Sequence, residues 1–333
     1  MRILVTGGAG YVGSVSVERL LAAGHAVWVL DDMSTGHVPA VPPEATLSRS
    51  TYSDEDQVTR LLVDNSIEAI LHCAARSLVG ESIREPATYY RANVVGGVAL
   101  LEAARRAGVG RLVFSSTAAV YGVPAITPIT ETAPLDPINP YGETKRTFEG
   151  ALRWYGSAYG LRSIALRYFN VAGASERNGE DHEPETHLIP NILAAAASGR
   201  PMTLFGDDYP TPDGTPIRDY IHVEDLAEAH LLALEATAQP LAADTEPALR
   251  MNLGTGTGFS VRDVLEATEA VVGKPVPRTV GPRRAGDPPI LVASAEQARA
   301  VLGWTPRRGS LAEMIGSAWR WRQAHPAGYG QGR

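Results

Sequence analysis

The amino-acid sequence predicts an α/β fold: a doubly wound parallel sheet followed by a smaller C-terminal α/β domain. Three observations carry that expectation. Apolar runs of strand length alternate with helical patterns from the first residues to about Tyr168, and that order forces parallel pairing. The first run, Ile3-Leu4-Val5, leads directly into glycines that open a helical pattern from Val15 to Ala23. Asp31 ends the second run, roughly ~20 residues further on, where a Rossmann-type dinucleotide fold carries a ribose-binding acid.

Each element follows in order. Ile3, Leu4 and Val5 do not alternate with polar residues, as expected of a strand buried on both faces. In the turn after it, Gly7 suits a tight reversal and Gly10 leaves room for backbone N–H groups to approach a pyrophosphate. Gly13 lets the helix lie close on the strand. The spacing is Gly-x-x-Gly-x-x-Gly, one residue longer in its first half than the Gly-x-Gly-x-x-Gly fingerprint. Gly24 closes the helix, His25 to Leu30 forms the second strand, and the Asp31 carboxylate favours a free ribose 2′-hydroxyl over a phosphate, hence NAD over NADP. After Asp31-Asp32 the pattern gives a Pro- and Gly-rich loop (Met33 to Ala45), a weak strand near Thr46 to Ser48 and a helix over Glu55 to Asn65. Ile67 to Leu71 is a fourth strand, ending in His72-Cys73-Ala74-Ala75, and a long helix runs from Pro86 to Ala107, closed by Gly108. Arg111 to Ser115 is the fifth strand. Asn139-Pro140-Tyr141 starts a helix, with Pro in its first turn, that continues to about Tyr159 before Gly160. Ser163 to Tyr168 is the sixth strand.

From about Val171 the chain is less regular. It holds an acidic loop (Glu176 to Glu185), a helix near Leu188 to Ser198, a Pro- and Gly-rich segment around Asp207 to Pro216 with an Asp213-Gly214 turn, and helices at Val223 to Glu235 and Val261 to Val272. Arg250 to Leu253 reads as another parallel strand. The expected division is therefore a dinucleotide-binding domain at 1–170 and a smaller substrate-capping domain at 171–333, with about 215–260 partly returning to the first sheet. Gly254-x-Gly256-x-Gly258 resembles a second nucleotide loop, but Ser260 with Asp263 looks like a capping box of the next helix and favours a turn.

Composition narrows the function classes. The chain has 333 residues, 44% of them hydrophobic, enough to bury a substantial core. A net charge of −7 without a run of Lys or Arg argues against a nucleic-acid surface. A single cysteine, Cys73, excludes an internal disulfide framework, Met1-Arg2 leads into a strand rather than a signal peptide, and no stretch approaches ~20 apolar residues. The expectation is a cytoplasmic protein without membrane contact.

In doubly wound sheets ligands gather beyond the carboxyl ends of the strands. That rule places the glycine loop, Asp31, Ala74-Ala75, Ser116 to Gly122 and Tyr168-Phe169-Asn170 along one crevice, with Gly7, Gly10, Tyr11, Val12, Gly13, Asp31, Asp32, Ala74 and Lys145 as cofactor-binding residues. Tyr141 and Lys145, four apart on a helix, share a face. A tyrosine ionises near ~10, and a neighbouring ammonium with the cationic nicotinamide ring favours phenolate; a shift of ~3 units corresponds to about 4 kcal/mol. Thr117 supplies a hydroxyl placed to share the proton of a substrate alcohol with Tyr141. The expected catalytic group is Tyr141, Lys145 and Thr117.

The sequence at this point resembles the UDP-galactose (UDP-glucose) 4-epimerases of the extended short-chain dehydrogenase/reductases, nearly end to end. The likeness rests on Gly7 to Gly13, Val79-Gly80-Glu81-Ser82, Ser115 to Gly122, Tyr141-Gly142-Glu143-Thr144-Lys145, Arg167-Tyr168-Phe169-Asn170, Arg218 to Val223 and Arg283 to Asp287. The resemblance implies that Asn93 and Tyr168 touch NAD, that Asn170, Arg218, Arg284 and Asp287 hold the UDP part, and that Thr203, Leu204 and Phe205 lie along the uracil. It also implies that Leu291 borders the hexose pocket and that two long helices, Pro86 to Ala107 and Tyr141 to Tyr159, pair into a four-helix bundle in a homodimer. Thr117 stands where the family often has Ser and keeps the hydroxyl. Ser50 replaces an aspartate that often contacts adenine and Ser77 a lysine that often reaches the cofactor phosphates, changes that bear on how tightly NAD is held.

The implied reaction is inversion at C4 of a UDP-hexose (UDP-glucose or UDP-galactose) through a 4-keto intermediate with NAD retained. Dehydratases and decarboxylases of similar sequence carry an acid after the hydroxyl residue; here Ala118-Ala119 follow Thr117. Two alternatives stay beside this reading: 4-epimerisation of another UDP-sugar, an N-acetylhexosamine or a pentose, and a non-catalytic NAD sensor. Glu180, Asp181, His182, Glu183, Glu185 and His187 are read as a solvated acidic loop rather than a metal site, because no helix fixes their spacing. Leu311, Met314, Ile315, Ala318 and Trp319 read as the core stripe of a helix, and Cys73 as a small buried hydrophobe.

Overall fold

Ile3, Leu4 and Val5 have no exposed surface, and alternate residues of this first strand feed two different cores. The computed structural model describes residues 1–239, 246–283 and 287–330. Its first half alternates strand and helix: β1 (Arg2–Thr6), α1 (Tyr11–Ala22), β2 (Ala26–Asp31), β3 (Thr46–Arg49), α2 (Glu55–Asp64), β4 (Ala69–His72), α3 (Val79–Arg84), α4 (Pro86–Tyr89), a π-helical turn (Tyr90–Gly96), α5 (Gly97–Ala107), β5 (Arg111–Thr117), α6 (Pro140–Tyr159), β6 (Arg162–Tyr168) and β7 (Asn170–Ala172). Then come α7 (Leu188–Ser198), β8 (Met202–Phe205), β9 (Ile217–His222), α8 (Val223–Ala238), β10 (Ala248–Leu253), β11 (Gly258–Ser260), α9 (Val261–Val272), β12 (Arg278–Gly281), β13 (Ile290–Leu291), α10 (Glu296–Leu302) and α11 (Leu311–Ala324).

The main sheet runs β10-β6-β5-β4-β1-β2-β3, every neighbouring pair parallel. Strand order reverses between β1 and β4, so the crevice expected of a doubly wound sheet opens beyond Thr6 and His72. Ile3 and Val5 face one core with Val17, Leu20, Leu226 and Leu234 of α1 and α8. Leu4 faces the other with Leu62, Leu100, Phe148 and Leu152 of α2, α5 and α6.

The return of the chain to this sheet is narrower than 215–260. β10 extends the sheet beside β6 and α8 packs beneath it, but Ile217–His222 does not join. That strand pairs in parallel with β7 and β13 and antiparallel with β11, forming a second sheet. α7, α9 and α11 cover a third core around Ile192, Tyr220, Val264 and Met314, and β8 and β12 form a separate ribbon. Leu311, Met314 and Ile315 of α11 are buried in this third core and Ala318 and Trp319 pack against it, the stripe expected; Trp321 is buried as well.

Three further expectations need correction. The long helix from Pro86 is interrupted by the π turn at Tyr90–Gly96, and Val79–Arg84 forms a helix that the sequence pattern did not suggest. Within the loop at Glu176 to Glu185, Glu176 and Glu183 are exposed as expected, but the Glu180 side chain departs from the solvated reading: it is 8% exposed and packs against two histidines. By contrast the Gly254 to Gly258 loop is a turn: the Asp219 carboxylate accepts from the N–H groups of Thr255, Gly256 and Ala293, and Ser260 with Asp263 completes a capping box. No helix among the described residues is long and apolar enough to cross a membrane.

Candidate active site

The glycine loop is built as a cradle. Gly7 has φ +73°, and a Cβ there would lie 2.6 Å from the backbone of Ala74; at Gly13 it would lie 2.0 Å from the Gly7 carbonyl oxygen. At Gly10 the nearest atom, the Gly7 carbonyl oxygen, would be 3.5 Å away, an ordinary contact, so no protein atom crowds this position. The first turn of α1 has no side-chain cap, and its first helical bond is Ser14 N–H to the Gly10 carbonyl. The N–H groups of Tyr11, Val12 and Gly13 therefore face outward at the positive end of the helix, an anion site ready for a pyrophosphate. The Tyr11 side chain turns away from this mouth and donates to the Gly173 carbonyl at 2.6 Å.

Asp31 sits beside the loop, its two carboxylate oxygens accepting from Ala9 N–H at 3.0 Å and Met33 N–H at 2.9 Å. Burial raises its pKa, opposed by those two bonds. Asp32 is exposed and accepts from Ser34 N–H. Ala74 follows β4, its N–H bonded to the Thr6 carbonyl, directly against Gly7. Asn93 lies on the π turn and is fully engaged: it accepts from Arg76 N–H at 2.8 Å and donates to the Arg76 carbonyl and the Thr144 hydroxyl. The extra residue of a π turn aims a side chain that an unbroken helix would point elsewhere. Asn93 thus holds the loop after β4 against α6, a geometry set by contacts distant in the chain.

Thr117 is the last residue of β5, and its hydroxyl accepts from Ala119 N–H at 3.1 Å where the chain enters a short 3₁₀ turn. Tyr141 is the second residue of α6, placed there because Asn139 caps the Gly142 N–H at 2.9 Å and Pro140 starts the helix. The Tyr141 phenol lies beside the Thr117 hydroxyl, which acts to lower its pKa. One turn later Lys145 donates to the Ser115 carbonyl at 2.8 Å and lies 4.7 Å over the Phe114 ring and 5.9 Å from the Tyr141 ring centre. Tyr168, at the end of β6, pairs its hydroxyl with Ser115. Thr117, Tyr141, Lys145 and Tyr168 are thereby brought together at the carboxyl ends of β5 and β6.

The electrostatics differ from the simple expectation for an ammonium beside a phenol. Burial raises the Tyr141 pKa, with the Thr117 hydroxyl opposing, and burial lowers Lys145 to about 8. The nearby lysine does not offset the burial of the phenol. His72, behind the lysine, is pushed down to about 3 by burial and by Lys145, and burial drives Cys73 up to about 12, so both stay neutral.

Behind the reactive face lies a buried network that the sequence reading missed. Glu149, one turn beyond Lys145, accepts from Ser116 at 2.6 Å and from Arg167 at 2.9 Å; Arg167 donates onward to the Tyr121 hydroxyl, which donates to Asn252 at 2.7 Å. The clue was the four-residue step from Lys145 to Glu149 on one helix face.

The residues expected around the nucleotide sugar fall in the second lobe and its junction. Asn170 opens β7; Arg218 on β9 pairs with Asp287 at 2.6 Å and also donates to the Ile217 carbonyl. Thr203, Leu204 and Phe205 form β8, with Leu204 buried and Phe205 partly exposed. Leu291 lies opposite Arg218 in the ladder and packs on Val120, Tyr121 and Ile129, next to Thr117 in the chain. Arg284 lies outside the described residues.

Comparison with known proteins agrees with this geometry. A model of the NAD dependent epimerase/dehydratase family matches residues 3–245. A UDP-glucose 4-epimerase of Lactobacillus helveticus is 50% identical over 332 residues, 99% of each chain. Among solved structures, UDP-glucose 4-epimerase from Brucella ovis in complex with NAD is 43% identical with a TM-score of 0.91, covering 96% of this chain and 97% of its own. The enzyme from Bifidobacterium longum in complex with NAD+ and UDP is 34% identical with a TM-score of 0.91, covering 98% and 100%.

Proposed function

The chain belongs to the NAD dependent epimerase/dehydratase family, and from that premise we propose that it inverts C4 of a UDP-hexose, interconverting UDP-glucose and UDP-galactose with NAD retained. The observation that carries the reading is the group formed by Thr117, Tyr141 and Lys145 at the switch crevice, with Ala118 and Ala119 where a dehydratase or decarboxylase needs an acid. The glycine cradle fits the cofactor: no protein atom crowds Gly10, the α1 N-terminus is uncapped, and Asp31 stands beside it to receive ribose hydroxyls. NAD held there would supply a reversible hydride acceptor and a positive charge.

The side chains then divide the work. Tyr141 takes the proton of the sugar 4-hydroxyl and later gives it back, with Thr117 orienting the same oxygen by hydrogen bonding. Lys145, anchored on Ser115, adds positive charge near the phenol and favours its ionised form once the cofactor ring adds its own. Ala118 and Ala119 offer no group for proton transfer at a second carbon, so the keto sugar is committed to reduction at C4. Arg218, Asn170 and Asp287 are positioned to keep the UDP part in place while the hexose turns, with Thr203 to Phe205 along the base. Neutral His72 and Cys73 stay out of the proton traffic.

The direct test incubates purified protein with UDP-galactose and no added reductant, then repeats with UDP-N-acetylglucosamine and UDP-pentoses. Formation of UDP-glucose is expected; absence of any interconversion refutes the reading and leaves the NAD-sensor alternative. We further propose a homodimer, because Val95 and Trp154, each near two-thirds exposed, stand out on the adjoining π turn and α6. Light scattering at micromolar concentration is expected to give twice the chain mass, and a monomer for Val95→Glu; a monomeric wild type refutes it.

A further inference from the structure

Glu180, His182, Glu185 and His187 come from one eight-residue stretch, yet their ligand atoms all lie within 4.8 Å of one another. His187 Nδ1 is 2.7 Å from a Glu180 oxygen and 3.0 Å from Glu185; His182 Nδ1 is 3.2 Å and 3.7 Å from the same two carboxylates. In a tetrahedral zinc site with bonds of ~2.0–2.1 Å, neighbouring ligand atoms are about 3.3 Å apart, so these spacings bracket the edges of that polyhedron. A second observation points the same way. His182 Nδ1 is shielded from solvent and, although close to both carboxylates, aligns with neither as a hydrogen bond. A cation at the shared centre would give that nitrogen a partner.

We propose that these four residues form a structural metal site for a divalent first-row transition ion, Zn2+ by geometry and donor type. Two imidazole nitrogens disfavour Ca2+ and Mg2+, which take oxygen ligands, and four protein donors close the coordination sphere as in structural rather than catalytic sites. One Zn2+ balances the two carboxylates while both imidazoles stay neutral donors. The ion fastens a segment that touches three other parts of the fold. The His182 ring meets the Tyr11 ring of the dinucleotide loop edge-on at 6.5 Å, His37 Nε2 donates to the Asp181 carbonyl, and the Asp181 carboxylate accepts from Tyr329 N–H at 2.9 Å. The site therefore ties the glycine cradle to the C-terminal segment.

The test uses tag-free full-length protein, stripped with chelator and then titrated with Zn2+ alone by calorimetry. One ion per chain with a dissociation constant below ~10 μM is expected, and weaker binding overturns the proposal. His187→Asn and Glu180→Gln are each expected to weaken Zn2+ by more than ~10²-fold, beyond the loss typical of an outer-shell change; a variant that folds and binds as wild type also overturns it. Where a variant does not fold, Co2+ loaded into the wild type decides: intense visible bands of a four-coordinate centre support the site, and a weak octahedral spectrum refutes it.

Discussion

Replacing Tyr141 with phenylalanine separates chemistry from architecture. The substitution removes one oxygen that lies beside the Thr117 hydroxyl, and it leaves the ring in place beside Lys145. Losing one neutral hydrogen bond costs about 1 kcal/mol of stability, and part of that is offset because a buried hydroxyl no longer has to be desolvated. For a chain of this size such a change moves Tm by roughly 1–3 °C. The rate effect is of another order: removing a general acid/base lowers turnover ~10²–10⁴-fold, about 2.7–5.5 kcal/mol in activation free energy. Turnover of UDP-galactose, thermal unfolding and NAD content of the same preparation are the three readouts. The expected result is a folded, NAD-loaded protein with turnover down at least a hundredfold. Turnover within tenfold of wild type refutes the assignment of Tyr141. Thr117→Ala is expected to fall less, and Thr117→Val to match Thr117→Ala, since neither keeps the hydroxyl.

Leu291→Tyr adds a ring beside Val120 and Tyr121, and overpacking of ~1–3 kcal/mol corresponds to about 5- to 150-fold in rate; N-acetylhexosamine turnover should drop while plain hexose turnover holds, and an unchanged ratio of the two removes Leu291 from the pocket. Glu149→Ala strands the Arg167 guanidinium in a site where its own exposure is 1%, so urea unfolding should show a loss of about 3–5 kcal/mol; a loss under about 1 kcal/mol contradicts the account of that network. Lys145 has a native pKa near 8 against 10.5 unfolded, so between these values the unfolded chain binds the extra proton and stability contributed at this site rises with pH. Lys145→Met should therefore gain most over wild type at or below pH 8, by roughly 3 kcal/mol, with the difference shrinking toward pH 10.5; a difference independent of pH counts against a buried, depressed lysine.

How much of this was readable in advance depended on how local each determinant is. α6 was bounded correctly because both of its ends are written in adjacent residues: Asn139 caps, Pro140 starts, and Gly160 stops it with φ +73°. α9 was legible for the same reason, through Ser260, Asp263 and Gly273. Thr117, Tyr141, Lys145 and Tyr168 could be gathered because strand ends in a parallel sheet share one edge. The π turn around Asn93 was not legible, since it answers to Arg76 and Thr144, distant in sequence. The Glu149–Arg167 pair and the Glu180–His187 cluster were missed or misread because spacing rules look for a helix or strand to fix geometry, and here tertiary packing and a folded loop fix it.

Two glycine-rich turns in this chain make the limit of motif reading concrete. Both follow a parallel strand of the same sheet and both open toward a helix, yet only one is free to bind an anion. At Gly254 to Gly258 the buried Asp219 carboxylate already takes the N–H groups of Thr255 and Gly256, and the helix beyond is capped by Ser260; every donor an incoming phosphate would use is occupied. At Gly7 to Gly13 the acid is Asp31, which takes one N–H of the loop, that of Ala9, and otherwise Met33 N–H behind it, while the α1 N-terminus has no cap. The difference lies in where the protein places its own carboxylate, inside the ring of donors or beside it. A built-in anion converts a phosphate cradle into a structural turn, and an acid displaced to the flank leaves the cradle open and selects the ribose next to it.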